Sequence, residues 1–107
     1  MPTIEQLEKL LTLDDQDTFV LYALAQEHAK AGDHPKAVEF YSRCLLIDEA
    51  YCYAYFHKAR SLEADGLMQE AQETLEAGLA MAQRTGDGKA AGELQSYLAE
   101  IRIANTR

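Results

Sequence analysis

Three groups of residues in this chain are of types that do chemistry. Gly86, Asp87, Gly88 and Lys89 look like the end of a phosphate-cradling loop. In such a loop backbone N–H groups hold phosphate oxygens and the lysine reaches the terminal phosphates. That pattern needs glycine where Gln83 stands and serine or threonine where Ala90 stands, so the segment reads as a turn between helices. Asp15 and Asp17 alternate as the first ligands of a calcium loop do, but Phe19 occupies the third ligand position and no glycine follows. The aspartates therefore read as helix caps. His28, His34, His57, Cys44 and Cys52 are metal-ligand types without zinc-site spacing. His28 reads as a packed histidine, His34 as a turn residue and Cys44 as a small buried residue. Both cysteines are expected to be free thiols. No Ser/His/Asp or Cys/His grouping follows from spacing, so no catalytic, metal or cofactor residue is assigned.

The elements that must position these residues follow one arithmetic rule. A step of 34 residues from Ala25, Gly32, Ala37 and Leu45 lands on Ala59, Gly66, Ala71 and Leu79. A period of this length, shared by small, turn and apolar positions, marks a repeat architecture. Within the first copy Leu21, Leu24, Ala25 and His28 form one helical stripe. Gly32 interrupts it as a left-handed residue beyond a helix end does. Asp33 can cap a second helix, with Pro35 in its first turn, and Ala37, Phe40, Tyr41, Cys44 and Leu45 make the second stripe. The second copy repeats this with Tyr55, Ala59 and Leu62, then Gly66, then Ala71, Leu75, Gly78 and Leu79. Ala25 with Ala37, and Ala59 with Ala71, are placed where paired helices come closest.

On these residues the chain resembles the tetratricopeptide repeat family, over residues 18–85. The resemblance rests on Ala25, Gly32, Ala37, Tyr41 and Cys44, and on Ala59, Gly66, Ala71, Leu75 and Gly78. It departs from the family pattern where Leu21 and Tyr55 replace a tryptophan, where Glu49 and Gln83 replace a proline, and where Lys58 and His28 replace apolar or aromatic residues. The resemblance implies an all-α solenoid of antiparallel helix pairs whose first helices line a concave, partner-binding face. On that face it places Phe19, Tyr22, Gln26 and Lys30, then Tyr53, Phe56, His57 and Arg60. Each set shares one helical face by spacing. The lysine and asparagines of the family's dicarboxylate clamp are absent, since Tyr22, Gln26 and His57 stand in their places. The expected surface is therefore aromatic, with Gln26, Lys30, His57 and Arg60 as donors to a peptide backbone or a carboxylate.

Six helices are expected in one domain: residues 4–13, 18–31, 35–47, 52–65, 68–84 and 89–104. Thr3 and Gln6 suggest a capping box ahead of Ile4, Leu7, Leu10 and Leu11. The first repeat spans 18–51 and the second 52–85. The helix at 89–104 carries Ala91, Leu94, Leu98 and Ile101 on one face, with Glu93, Gln95, Glu100 and Arg102 outside, and reads as a cap. Residues 105–107 are expected to fray. The net charge of −8 removes the basic footprint that nucleic acid and anionic membranes need. Acidic residues Glu5 and Glu8, with no apolar core segment, argue against a signal peptide, and the free thiols suit a cytoplasmic protein. The composite expectation is an adaptor or scaffold, not an enzyme, that binds a short segment of a partner protein as a monomer or weak homodimer. The alternative is an assembly element that acts by homodimerisation or end-to-end docking, with Leu7, Leu11, Leu94 and Leu98 near its open ends.

Overall fold

Six helices follow one another in the computed structural model, which describes residues 2–107: α1 (Ile4–Leu13), α2 (Thr18–Lys30), α3 (His34–Ile47), α4 (Cys52–Ala64), α5 (Met68–Thr85) and α6 (Gly88–Asn105). Their starts are set by local chemistry. The Thr3 hydroxyl accepts from the Gln6 amide while the Gln6 side chain accepts from the Thr3 amide, a complete capping box. One Asp17 carboxylate oxygen accepts from the amides of Phe19 and Val20, Asp33 accepts from Lys36, and Asp87 accepts from Ala90. Each bond satisfies an amide that the first helical turn leaves without a partner. The helix ends at Gly32, Gly66 and Gly86 need φ of +83°, +77° and +76°, which only glycine adopts without strain. Gly86 ends α5 and Asp87 caps α6, so the phosphate-loop-like segment is a helix-linking turn.

Consecutive helices pack as pairs, α2 on α3 and α4 on α5, with α6 against α5 and α1 against α2. α2, α4 and α6 also touch in order, whereas α3 and α5 do not touch among the described residues. A row whose inner members meet and whose outer members stand apart curves toward the inner side, so α2, α4 and α6 line the concave face. Ala25, Ala37, Ala59 and Ala71 are each fully buried, as expected of residues at the closest helix approach. Two core clusters result. One holds Leu7, Leu21, Leu24, Phe40 and Tyr41, and the other holds Leu62, Leu75, Leu94, Leu98 and Ile101.

Gly78 shows how tight the second pair is. A Cβ there would lie 2.6 Å from the Tyr55 Cβ and 2.8 Å from its Cγ. Those atoms sit at the root of the side chain, so a rotamer change cannot clear them and α4 and α5 must separate. Overpacking of this kind costs about 1–3 kcal/mol, against about 0.5–1 kcal/mol regained by replacing a mid-helix glycine with alanine. The expected net effect of Gly78→Ala is a lower melting temperature, measured by thermal circular dichroism. An unchanged or raised value would mean that the helices have room to part.

The structure departs from expectation at the C-terminal end. α6 buries Ala90 with Leu94, Leu98 and Ile101, and Ala91 of the expected stripe packs half-buried against the same cluster. Asn105 does not fray: its side-chain amide donates to the Met68 carbonyl and the Gln72 side chain, at 3.3 and 2.7 Å, and so fastens the end of α6 to α5. Arg102 pairs with Glu76 at 3.2 Å across the same interface. Leu7, Leu94 and Leu98, expected near open ends, are all buried, and Leu11 is half-buried.

Candidate functional site

The concave face is floored by a run of aromatic rings that crosses the whole stack. Tyr51 leans on Tyr22 with ring centroids 4.8 Å apart. Tyr22 meets the edge of Tyr41 at 5.8 Å and of His57 at 6.0 Å. His57 stacks on Tyr41 at 6.3 Å and meets Phe56 at 5.4 Å, and Phe56 meets Tyr97 of α6 at 5.2 Å. Offset and edge-on contacts of this kind hold rings in fixed positions. Helical spacing explains the run, since Tyr22, Phe56, His57 and Tyr97 all project from the inner faces of α2, α4 and α6.

Three cavities lie in a row over this floor. The first, about 430 Å³, lies between α2 and α4 and is lined by Gln26, Lys30, His34, Tyr41, His57 and Arg60, with Ala29, Ser61 and Ala64. The next, about 270 Å³, shares Arg60 with the first and adds Phe56, Glu63, Tyr97 and Glu100. The third, about 560 Å³, shares Phe56, Tyr97 and Glu100 with the second and adds Lys89, Glu93 and Ser96 beside Gly88 and Gly92. Shared lining residues set the three side by side, as one groove-like row along the concave face.

Of the residues expected on this face, Gln26, Lys30, His57 and Arg60 come together around the first cavity, and Phe56 lines the other two. Tyr22 lies beneath the first, and its hydroxyl accepts from Gln26 Nε2 at 3.2 Å. Phe19 and Tyr53 line none of the three cavities. Phe19 is exposed, and Tyr53 is half-buried against the C-terminal cluster. His34 departs from the reading of it as a turn residue. It opens α3, and its Nδ1 lies 3.2 Å from the hydroxyl of Ser61, a buried residue of α4. His28 packs as expected, its ring parallel to that of Phe40 at 5.5 Å.

The electrostatics of the groove follow from burial. Lys30 is tied to Glu27 at 2.9 Å, whereas Arg60 makes no ion pair among the described residues. Burial lowers the His57 pKa below 6.5, and the Arg60 charge beside it lowers it further. Burial pushes the Tyr22 hydroxyl up to about 12, and it raises Tyr97, whose hydroxyl also donates to Glu63. Cys44 and Cys52 are both free and buried. Burial pushes the Cys44 thiol up to about 11, which leaves little of the nucleophilic thiolate at neutral pH. No group of three or more His, Cys, Asp or Glu residues able to hold a metal ion occurs among the described residues.

The lowered His57 pKa fixes the sign of a pH effect. Below pH 6.5 the unfolded chain binds a proton at His57 that the folded chain resists. Stability contributed by neutral His57 is therefore present above 6.5, declines as pH falls toward the folded-state pKa, and stays lost below it. The charged or polar groups around the ring are Arg60, Lys30, His34, Tyr22, Tyr41 and Gln26, none of them a carboxylate that would reverse this sign. Acidification from about pH 7.5 to about 5.5 is expected to lower the melting temperature of the native protein more than that of His57→Gln. Equal shifts in the two proteins would contradict it.

Sequence reasoning missed the contribution of α6 to the groove, namely Lys89, Glu93, Ser96, Tyr97 and Glu100. α4 begins 34 residues after α2, at Cys52 against Thr18, but α6 begins 36 residues after α4, at Gly88. Carried forward by 36, Tyr53, Phe56, His57, Arg60 and Ala64 land on Lys89, Gly92, Glu93, Ser96 and Glu100, all lining the third cavity. The fixed period failed because α5 runs for 18 residues where α3 has 14.

The fold and groove define a class: a short α-solenoid of antiparallel helix pairs with a concave channel across its first helices. The sequence profile of the tetratricopeptide repeat family matches residues 20–51. A TPR repeat-containing protein of Pseudomonas aeruginosa is 30% identical over 103 residues, covering 96% of this chain and 98% of that one. The chain belongs to the tetratricopeptide repeat family. Its fold matches that of the Yersinia enterocolitica type III secretion translocator chaperone SycD, with a TM-score of 0.88 at 20% identity, over 97% of this chain and 72% of that one. SycD in complex with a peptide of the translocator YopD superposes with a TM-score of 0.84 at 21% identity, over 95% of this chain and 79% of that one.

Proposed function

We propose that the chain is a protein–protein interaction module that holds a short segment of a partner protein in the groove of α2, α4 and α6. The observation that carries this reading is the aromatic run from Tyr51 to Tyr97 beneath a groove edged by Arg60, which forms no ion pair among the described residues. Aromatic residues and arginine dominate binding hot spots, and an already rigid surface loses little entropy when a ligand orders on it. Phe56 and Tyr97 bury apolar parts of the segment, and Tyr22 supports the floor from below. Gln26, Lys30, His57 and Arg60 bond its backbone or a carboxylate and fix its register. Membership of the family, and a shared fold with a chaperone crystallised with a peptide, support the reading. The role is one of holding rather than of catalysis, and the free, buried thiols suit a reducing compartment such as the cytoplasm.

The test is capture from a lysate of the organism that encodes the protein. The native protein is compared with a variant carrying His57→Ala and Arg60→Glu, both lining the groove, once circular dichroism shows that the variant is folded. A partner captured by the native protein and lost with the variant supports the groove. The same partner on both places binding elsewhere.

One observation favours a second reading, assembly with another copy or a longer repeat protein. Leu13, Phe19 and Leu46 are 83, 71 and 87% exposed, and Leu46 and Ile47 line a shallow pocket with Arg43 away from the groove. Light scattering across a range of concentrations separates the two. A mass that stays monomeric at every concentration removes self-assembly.

A further inference from the structure

The groove changes sign along its length. In the first cavity the charged groups are Arg60 and Lys30, the latter tied to Glu27, beside the rings of His34 and His57, and no carboxylate lines it. This is the reverse of the chain as a whole, which carries −8. In the third cavity the balance turns. Glu93 and Glu100 line it against one cation, Lys89, and the wall it shares with the middle cavity is the Phe56–Tyr97 pair with Glu100. The middle cavity holds Arg60 and Glu63, and Glu63 is engaged by the Tyr97 hydroxyl. Neither Glu93 nor Glu100 forms an ion pair among the described residues. The carboxylates do not stand alone: two tilted ring faces lie beside them, at the far end of a groove whose near end is cationic.

We infer that the groove takes a peptide segment in one direction, with an acidic side chain beside Arg60 between α2 and α4 and a lysine or arginine side chain over the Phe56–Tyr97 rings against Glu93 and Glu100. The inference deepens the interaction-module reading and rests on it. A basic side chain suits the α6 end on two counts. Its methylene stem covers the ring faces, and its charge is drawn both to the rings and to the carboxylates. An acidic side chain there would meet two like charges, and a basic one in the first cavity would meet the Arg60 guanidinium. Each wrong placement is opposed, so the two ends together reject the reversed segment as well as accepting the correct one. Because the charged groups lie at the edge of the groove, association is expected to weaken as salt screens them.

The test uses the full chain and a library of random linear peptides displayed on phage, with affinities of enriched peptides then measured by fluorescence anisotropy. Enriched sequences are expected to carry an acidic residue and a lysine or arginine in a constant order and spacing. Exchanging the two charges in a synthetic peptide is expected to weaken binding about tenfold or more. Glu93→Gln with Glu100→Gln is expected to relax the basic position while the acidic preference persists, and Arg60→Glu to do the converse. Peptides that bind through the groove with no basic preference, or equally well in both orders, would overturn the directional inference and leave the interaction-module reading standing. Failure to enrich any peptide, or enrichment of peptides indifferent to both Arg60→Glu and the Glu93/Glu100 pair, would overturn both.

Discussion

Removing residues 89–107 is expected to abolish the cooperative thermal transition, whereas removing residues 1–3 is expected to lower the melting temperature only modestly. The first deletion strips Ala90, Leu94, Leu98 and Ile101 from the second core cluster, each of them buried. Burial of a leucine or isoleucine side chain contributes about 1.5–3 kcal/mol, so the three large residues alone represent about 5–9 kcal/mol. A whole domain has a net stability of about 5–15 kcal/mol. The loss is compounded because Leu62, Leu75 and Ala82 belong to the same cluster and lose part of its apolar surroundings. A repeat stack buries its apolar faces only against neighbours, so an end helix is structural cover as well as a wall of the groove. The deletion also removes the Arg102–Glu76 pair and the Asn105 bonds to α5. Among the described residues, removing residues 1–3 takes the Thr3 cap, worth about 0.5–2 kcal/mol, from a helix that packs on α2. Thermal circular dichroism on the two truncations decides the matter, and equal melting temperatures would contradict this account of α6.

Arg60→Glu is expected to reduce affinity for the groove's partner by about tenfold or more while leaving the fold intact. Arg60 is exposed and makes no ion pair among the described residues, so its replacement leaves no buried charge behind. It lines both the first and the middle cavity, so a segment crossing from α2 to α6 must pass it. Truncation of a central arginine hot spot costs about 2 kcal/mol or more in binding, and reversal adds repulsion to the loss. Its charge also holds down the pKa of His57, so the variant should titrate His57 at higher pH than the native protein does. NMR of the His57 ring checks that sign independently of any partner. A native melting temperature with reduced binding is the expected pattern. Unaltered binding would place the partner elsewhere.

Much of the fold was legible because the features that set it are local. Gly32, Gly66 and Gly86 fall where positive φ is needed, Asp17 and Asp33 cap the helices they precede, and the recurring alanines are fully buried. Each is decided within a few residues and recurs, so spacing exposes it. The groove was less legible because it depends on contacts between repeats. His34 with Ser61, Phe56 with Tyr97, and Glu63 with Tyr97 join residues 27 or more positions apart. Nothing in a helical stripe announces such partners. Lys58 stands where the family has an apolar residue. It is half-buried, its pKa lowered by burial and partly restored by Glu70, a compensation that pattern alone does not show. The wall contributed by α6 escaped the 34-residue step for the reason already given: α5 is longer than α3, and the register moves by two.

The most direct test of the groove as the partner surface is NMR chemical-shift mapping of the isotope-labelled full chain. The titrant is the minimal segment of the partner captured by the native protein. The account predicts that perturbations concentrate at the amides of Gln26, His57, Arg60, Ser96 and Tyr97, on α2, α4 and α6. Perturbations concentrated instead on α1, or on the outer surfaces of α3 and α5 around Arg43, Leu46 and Ile47, would contradict it.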